Sequence, residues 1–298
     1  VNARTRWLVL LVLPPLFWAG NALVGRAVID LIAPLELAFW RWLLALALLL
    51  PFTLRDVIAH RRVLLARWKV VLSMGLFSVA AYNTLLYMAV QTTTAINATL
   101  VGAVMPLMIL ALGAAWLREP IRPAQALGIA VSVCGVLAVV TRGEPSRLLD
   151  LAFTPGDGLM LLASLSWAIY SVMLRRYPLA VPGSALLAVL MLVGLVAIAP
   201  LYAWQRLHAP VMAVGPEVCG AIVYTALFAS LLAYYFWNRG VAAVGAAAAG
   251  QYAYLIPLFT ALLAVPLLGE AFRWYHASGG VLIFAGLGLA TRRASSNG

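Results

Sequence analysis

Asparagine, tyrosine and tryptophan, side chains that bind without reacting, recur at helical spacing along this 298-residue chain. Trp18 and Asn21 stand three apart, as do Trp167 and Tyr170, and Tyr234 and Trp237. Tyr82, Asn83 and Tyr87 form a further group, with Asn97 and the neighbouring pair Gln251 and Tyr252 in two more stretches. Residues three or four apart share one face of a helix, so the groups predict stripes. Such stripes can do recognition chemistry: amides that donate and accept, phenol hydroxyls, and aromatic faces that stack on rings or hold a cation. The bland alternative for any one of them is an interfacial belt or a contact with a neighbouring helix. Acid–base and metal chemistry lack a comparable set. His60, His208 and His276 are scattered over separate connections, Cys134 and Cys219 are isolated in or beside apolar runs, and no Ser/His/Asp or HExxH arrangement occurs. No metal, cofactor or disulfide is expected.

The elements that must carry these stripes follow from composition. With 65% hydrophobic and 10% charged residues, the solvent is a bilayer. Runs near the roughly 20 residues needed to cross it fall at about 7–28, 34–52, 68–90, 95–117, 122–141, 156–176, 183–204, 216–239, 245–267 and 273–291. Helices are required, because backbone groups in lipid must pair within their own segment and barrel-like alternation is absent. The first run is too long for a signal-peptide core and is expected to remain as a span. The net charge of +11 is spread between apolar runs rather than along one face, which disfavours nucleic acid as a partner. Placing the N-terminus in the cytoplasm puts fourteen Lys and Arg inside and five outside (Arg26, Arg142, Arg147, Arg206 and Arg273), with Arg41 within a span. Both termini are therefore expected to be cytoplasmic.

One pattern is written twice. Pro106, Glu119, Gly128, Gly135 and Arg142 return at the same intervals, 151 positions later, as Pro257, Glu270, Gly279, Gly286 and Arg293. Five spans per copy is an odd number, so the second copy enters from the opposite side. The expected fold is an all-α integral membrane protein, ten transmembrane helices in two inverted five-helix repeats, residues 1–142 and 143–298, around a central cavity. Secondary transporters share this architecture, with the site near the midplane. Unpaired polar groups are costly in hydrocarbon, so the striped spans one, three, four, six, eight and nine should line the cavity. The other four are nearly blank. Pro106 and Pro257 each remove an amide donor in mid-span and predict kinks, either hinges or static bends. Glu119 and Glu270 are expected to meet the positive ends of the helices that follow them. Arg41 is expected to snorkel or to pair along its helix with Glu36, leaving the middle of the lining without a basic residue.

The duplicated landmarks over ten spans resemble the EamA-type families of the drug/metabolite transporter superfamily, over about Trp7 to Arg293. The runs Phe17-Trp18-Ala19-Gly20-Asn21 and Tyr82-Asn83 look most like the YddG-type exporters of aromatic and other neutral amino acids. The resemblance implies efflux of a small metabolite by alternating exposure of a central cavity, in a bacterial inner membrane and by a single chain. An uncharged aromatic lining adds its own expectation, a net-neutral cargo that moves down its own gradient. Efflux of cationic drugs, with or without proton coupling, rests on the same aromatics and is the alternative; a membrane enzyme or a receptor without transport is remote.

Overall fold

Proline marks where many helices begin. Pro34, Pro123, Pro155 and Pro216 each sit in the first turn of a helix, where the missing amide hydrogen has no intrahelical acceptor to lose. The structure, a computed structural model, describes residues 3–118, 121–144, 146, 154–208, 214–244 and 251–291. Among these residues there is no strand. The order is α1 (Ala3–Leu10), α2 (Leu13–Ala27), α3 (Pro34–Ala59), α4 (Arg61–Ala66), α5 (Trp68–Gly75), α6 (Tyr82–Ala89), α7 (Ala95–Gly102), α8 (Met105–Leu117), α9 (Pro123–Val140), α10 (Pro155–Arg176), α11 (Gly183–His208), α12 (Pro216–Tyr224), α13 (Ala233–Val244), α14 (Leu255–Leu268) and α15 (Trp274–Thr291). Among the described residues, seven stretches are long and apolar enough to cross a membrane: Arg6–Ala27, Pro34–Ala59, Trp68–Ala89, Ala95–Leu117, Pro155–Arg176, Gly183–His208 and Pro216–Trp237. The other three expected crossings fall on α9, α14 and α15.

Two of the long stretches are not uniform. Leu76–Ala81 joins α5 to α6 as a π-helix, and Thr225–Leu232 joins α12 to α13 in the same way. A π-turn widens the helix and offsets its ladder, leaving carbonyls to be satisfied by other groups. Here two donors come from other helices: Ser166 Oγ on α10 donates to the Phe77 carbonyl at 2.7 Å, and Trp18 Nε1 on α2 donates to the Ala229 carbonyl at 3.1 Å, while within the second stretch Ser230 Oγ donates to the Thr225 carbonyl at 2.9 Å. The proline interruptions are also present. α7 ends at Gly102 and α8 restarts at Met105 with Pro106 in its first turn, while Pro257 follows a short 3-10 turn, Gln251–Tyr254, at the start of α14.

Small residues let the helices approach closely. A Cβ on Gly135 would stand 2.7 Å from the Gly279 carbonyl, and one on Gly286 would stand 2.4 Å from the Gly128 carbonyl. Between them Ser132 Oγ donates to the Ile283 carbonyl at 2.9 Å. The earlier glycine of α9 thus faces the later glycine of α15 and the reverse, so the two helices run antiparallel with backbones in contact. α3 packs along α11, and α2 packs against α13 and α14. α10 packs against α6, α7 and α8. The first long helix of each half thus lies against later helices of the other, while α3 pairs with α11 and α9 with α15, which leaves α2, α6, α10 and α13 meeting in the middle.

Candidate functional site

At that meeting point six aromatic rings touch in sequence. Trp237 and Tyr234 on α13 lie 5.3 and 6.3 Å, centroid to centroid, from Trp18 on α2. Tyr234 reaches Trp167 on α10 at 6.4 Å, and Trp167 contacts Tyr170 at 5.3 Å and Tyr82 of α6 at 5.0 Å. The pairs are tilted or edge-to-face, the arrangement the ring quadrupoles favour. All six are half-buried rather than sealed, so ring surface remains to be covered. Trp18 cannot swing freely, because its indole nitrogen is tied to the π-stretch carbonyl.

Beneath the rings lies a buried charge. Arg41 on α3 is 2% exposed. Its Nη1 donates to Asn21 Oδ1 at 3.0 Å, to the Tyr87 oxygen at 2.6 Å and to Asn83 Oδ1, and its Nε donates to Ser230 Oγ at 2.9 Å. The Tyr87 hydroxyl donates in turn to Asn21 Oδ1 at 2.7 Å. The guanidinium carbon lies 4.6 Å from the Trp42 ring centroid. Gly25 makes the cluster possible, since a Cβ there would sit 2.7 Å from Tyr87 Cδ1.

The expectation of a middle without a basic residue is corrected here, as is the assignment of α3 to the blank spans. Arg41 neither snorkels nor pairs with Glu36, which instead meets Arg206 at 3.3 Å. Seven residues into the helix is about 10 Å of rise, and at that level three neighbouring helices offer oxygen acceptors.

Toward one end of the bundle a second polar group forms. Thr94 Oγ1 caps α7 by accepting from the Asn97 amide at 3.1 Å, and Glu270 completes that helix start by accepting from the amides of Ala95 at 2.7 Å and Ile96 at 3.1 Å. Glu270 therefore caps a helix of the first half, not α15 as expected. Gly269, at φ +64°, turns the chain after α14 so that the carboxylate faces α7. Glu119 lies outside the described residues. Thr93 Oγ1 donates to Asp157 Oδ1 at 2.7 Å. His276 accepts at Nδ1 from the Arg273 amide at 3.0 Å, so Nε2 carries the hydrogen and donates to Asn97 Oδ1 at 2.8 Å. Beside them opens a cavity of about 310 Å³ lined by Arg26, Thr92, Thr93, Thr94, Asn97, Arg142, Ala271, Arg273, Tyr275 and His276.

The stripe residues thus divide. Trp18, Tyr82, Trp167, Tyr170, Tyr234 and Trp237 form the ring cluster, Asn21, Asn83 and Tyr87 form the Arg41 cradle, and Asn97 is engaged by His276. Tyr252 is half-buried on the short turn before α14, while the side chain of Gln251 lies outside the described residues.

Comparison with known proteins meets this arrangement twice over. The sequence model of the EamA-like transporter family matches residues 5–141 and again 154–292. The chain is 30% identical over 278 residues, 91% of its length and 86% of the relative's, to the uncharacterized inner membrane transporter YedA of Escherichia coli K12. It is 27% identical over 220 residues, 74% of its length and 71% of the relative's, to a probable terminal-alkyne amino-acid exporter of Streptantibioticus cattleyicolor. A crystal structure with 23% sequence identity superposes with a TM-score of 0.64, covering 99% of this chain and all of its own, which is a likeness of fold. With the family matched across both halves, the chain belongs to the EamA-like transporter family of the drug/metabolite transporter superfamily.

Proposed function

We propose that this chain is an exporter of small metabolites, aromatic and other neutral amino acids first among them, working by alternating access down the cargo's own gradient. The observation that carries the reading is the cluster of six half-buried rings drawn from both halves, set over a cradle of Asn21, Asn83, Tyr87 and Arg41. An amino acid's side chain stacks among Trp18, Tyr82, Trp167, Tyr170, Tyr234 and Trp237, with its carboxylate toward Arg41. The Streptantibioticus relative, a probable terminal-alkyne amino-acid exporter, supports the same class of cargo. Arg41 weighs against the cationic-drug alternative, since a buried positive charge repels a cation. One guanidinium without an accompanying lysine also suits a carboxylate better than a phosphate dianion.

In this reading α9, α14 and α15 complete ten crossings, and residues 1–142 and 143–298 are two inverted repeats. The antiparallel glycine contact of α9 with α15 supports that symmetry. Both termini lie in the cytoplasm of a cell whose inner membrane holds the protein, as the name of the Escherichia coli relative suggests. Pro106 and Pro257 are the hinges, and Asn97, Gln251 and Tyr252 meet the cargo along the path. One chain contains all these residues, so a monomer suffices. Purified protein in liposomes should exchange phenylalanine, tryptophan or other neutral amino acids in counterflow with no pH gradient imposed. Exchange that appears only with a proton gradient sinks the facilitative mechanism, and no exchange of any amino acid sinks the cargo.

A further inference from the structure

Arg41 carries a permanent charge, and no carboxylate answers it among the described residues. Glu36 is held by Arg206, Asp157 by the hydroxyls of Thr93 and Thr154, and Glu270 by two helix amides. The four groups that do bond Arg41 are neutral oxygens, and its Nη2 finds no protein acceptor among the described residues. A buried cation in a membrane protein without a counter-ion calls for one.

The ring cluster is equally one-sided. Nothing in it offers an ammonium group a full negative charge; the faces of Trp18, Trp167 and Tyr234 offer a cation only the weaker attraction of a π-system. Removing the ammonium from an aromatic amino acid therefore forfeits little, whereas removing the carboxylate forfeits the interaction with Arg41.

An independent observation points the same way. The cavity at one end of the bundle gathers Arg26, Arg142 and Arg273 with the threonine hydroxyls of residues 92–94, and no Asp or Glu lines it. Arg26 spends Nη1 on the carbonyls of Val90 and Gln91, but its charge remains. Three of the five basic residues expected on the non-cytoplasmic side thus converge on one pocket; with Asp157 held by Thr93 and Glu270 by the start of α7 beside it, the group keeps an excess of positive charge, which favours anions at this end.

We infer that the central site takes aromatic monocarboxylates without an amino group, aryl-alkanoic or aryl 2-oxo acids, with Arg41 as their counter-ion. This rests on the ring cluster being the transport site, as proposed above. It differs from the amino-acid reading in making the α-amino group dispensable.

Three probes share one skeleton and differ in charge: phenylpropanoate (anion), phenylalanine (zwitterion) and phenethylamine (cation). The purified full chain in proteoliposomes should exchange phenylpropanoate, and phenylpropanoate should inhibit counterflow at least about 100-fold more strongly than phenethylamine, just under the scale expected when one partner of a buried charge pair is missing. Arg41→Gln should lose phenylpropanoate exchange by a similar factor, and Arg41→Lys should recover part of it, which a purely structural role would not predict. If Arg41→Gln does not fold, the probe series in the unaltered protein still decides. Phenethylamine competing as well as phenylpropanoate overturns the inference, and so does Arg41→Gln retaining full phenylpropanoate exchange. Phenylalanine exchange without phenylpropanoate exchange also overturns it and leaves the amino-acid reading standing. Phenylpropanoate exchange without phenylalanine exchange does the reverse.

Discussion

Replacing Glu270 with glutamine tests the tie between the two halves. The carboxylate holds two amides in the first turn of α7, Ala95 at 2.7 Å and Ile96 at 3.1 Å, and those amides have no intrahelical acceptor. The amide side chain keeps one acceptor and turns an NH2 toward the other N–H. One charge-assisted hydrogen bond is worth roughly 1.5–3 kcal/mol, and the charge at the helix N-terminus adds about 0.3–1 kcal/mol. The closed arrangement at this end should therefore weaken by roughly 2–4 kcal/mol, about 30- to 700-fold in the equilibrium with a state open there. Ala98, wholly buried one turn inside α7, reports the opening. Ala98→Cys in a chain whose Cys134 and Cys219 have been replaced should react slowly with a membrane-impermeant maleimide, and adding Glu270→Gln should accelerate labelling at least about 30-fold, the low end of that shift. Equal labelling rates and an unchanged melting temperature would show that the cap stabilises nothing.

Trp18→Ala, Tyr82→Ala, Trp167→Ala and Tyr234→Ala should each cut flux about tenfold or more, with elution on gel filtration unchanged, because each removes a ring worth about 1.5 kcal/mol or more to a stacked cargo. Normal transport by all four would remove the ring cluster as the site. Trp18→Phe keeps a ring but strands the Ala229 carbonyl, so it should cost about 1–3 kcal/mol of stability, read as a lower melting temperature. Gly135→Leu forces a side chain into a backbone contact and should destabilise the α9–α15 pair by about 1–3 kcal/mol or more, whereas Gly158→Ala on α10, with open space around it, should melt like the unaltered protein.

How far these features were legible depended on the range of the interaction. Trp18, Trp167 and Tyr234 could be read as one group, and their rings do meet, because each sits inside an apolar run at helical spacing, a local property. Arg41 could not, since a single arginine in a long apolar helix looks the same whether it reaches lipid headgroups or four oxygens on other helices. Glu270 was misassigned for a related reason. Proximity in sequence favoured α15, and only the left-handed turn at Gly269 directs the carboxylate to α7. The π-stretches leave almost no local trace; what stabilises them is Ser166 and Trp18 from elsewhere in the chain.

Those π-stretches also govern how the gene can change. A π-turn amounts to one residue more than an α-helix needs over the same rise. Deleting a single residue within Leu76–Ala81 would let Trp68–Ala89 relax to a regular α-helix, rotating everything beyond the deletion by about 100° relative to what precedes it. Tyr82, Asn83 and Tyr87 would then leave the centre as a group, and apolar neighbours would take their places. A one-codon loss here would turn that group of side chains away from Arg41 while sparing the hydropathy profile, so the register of the helix, and not any one side chain, decides what meets the guanidinium at this point.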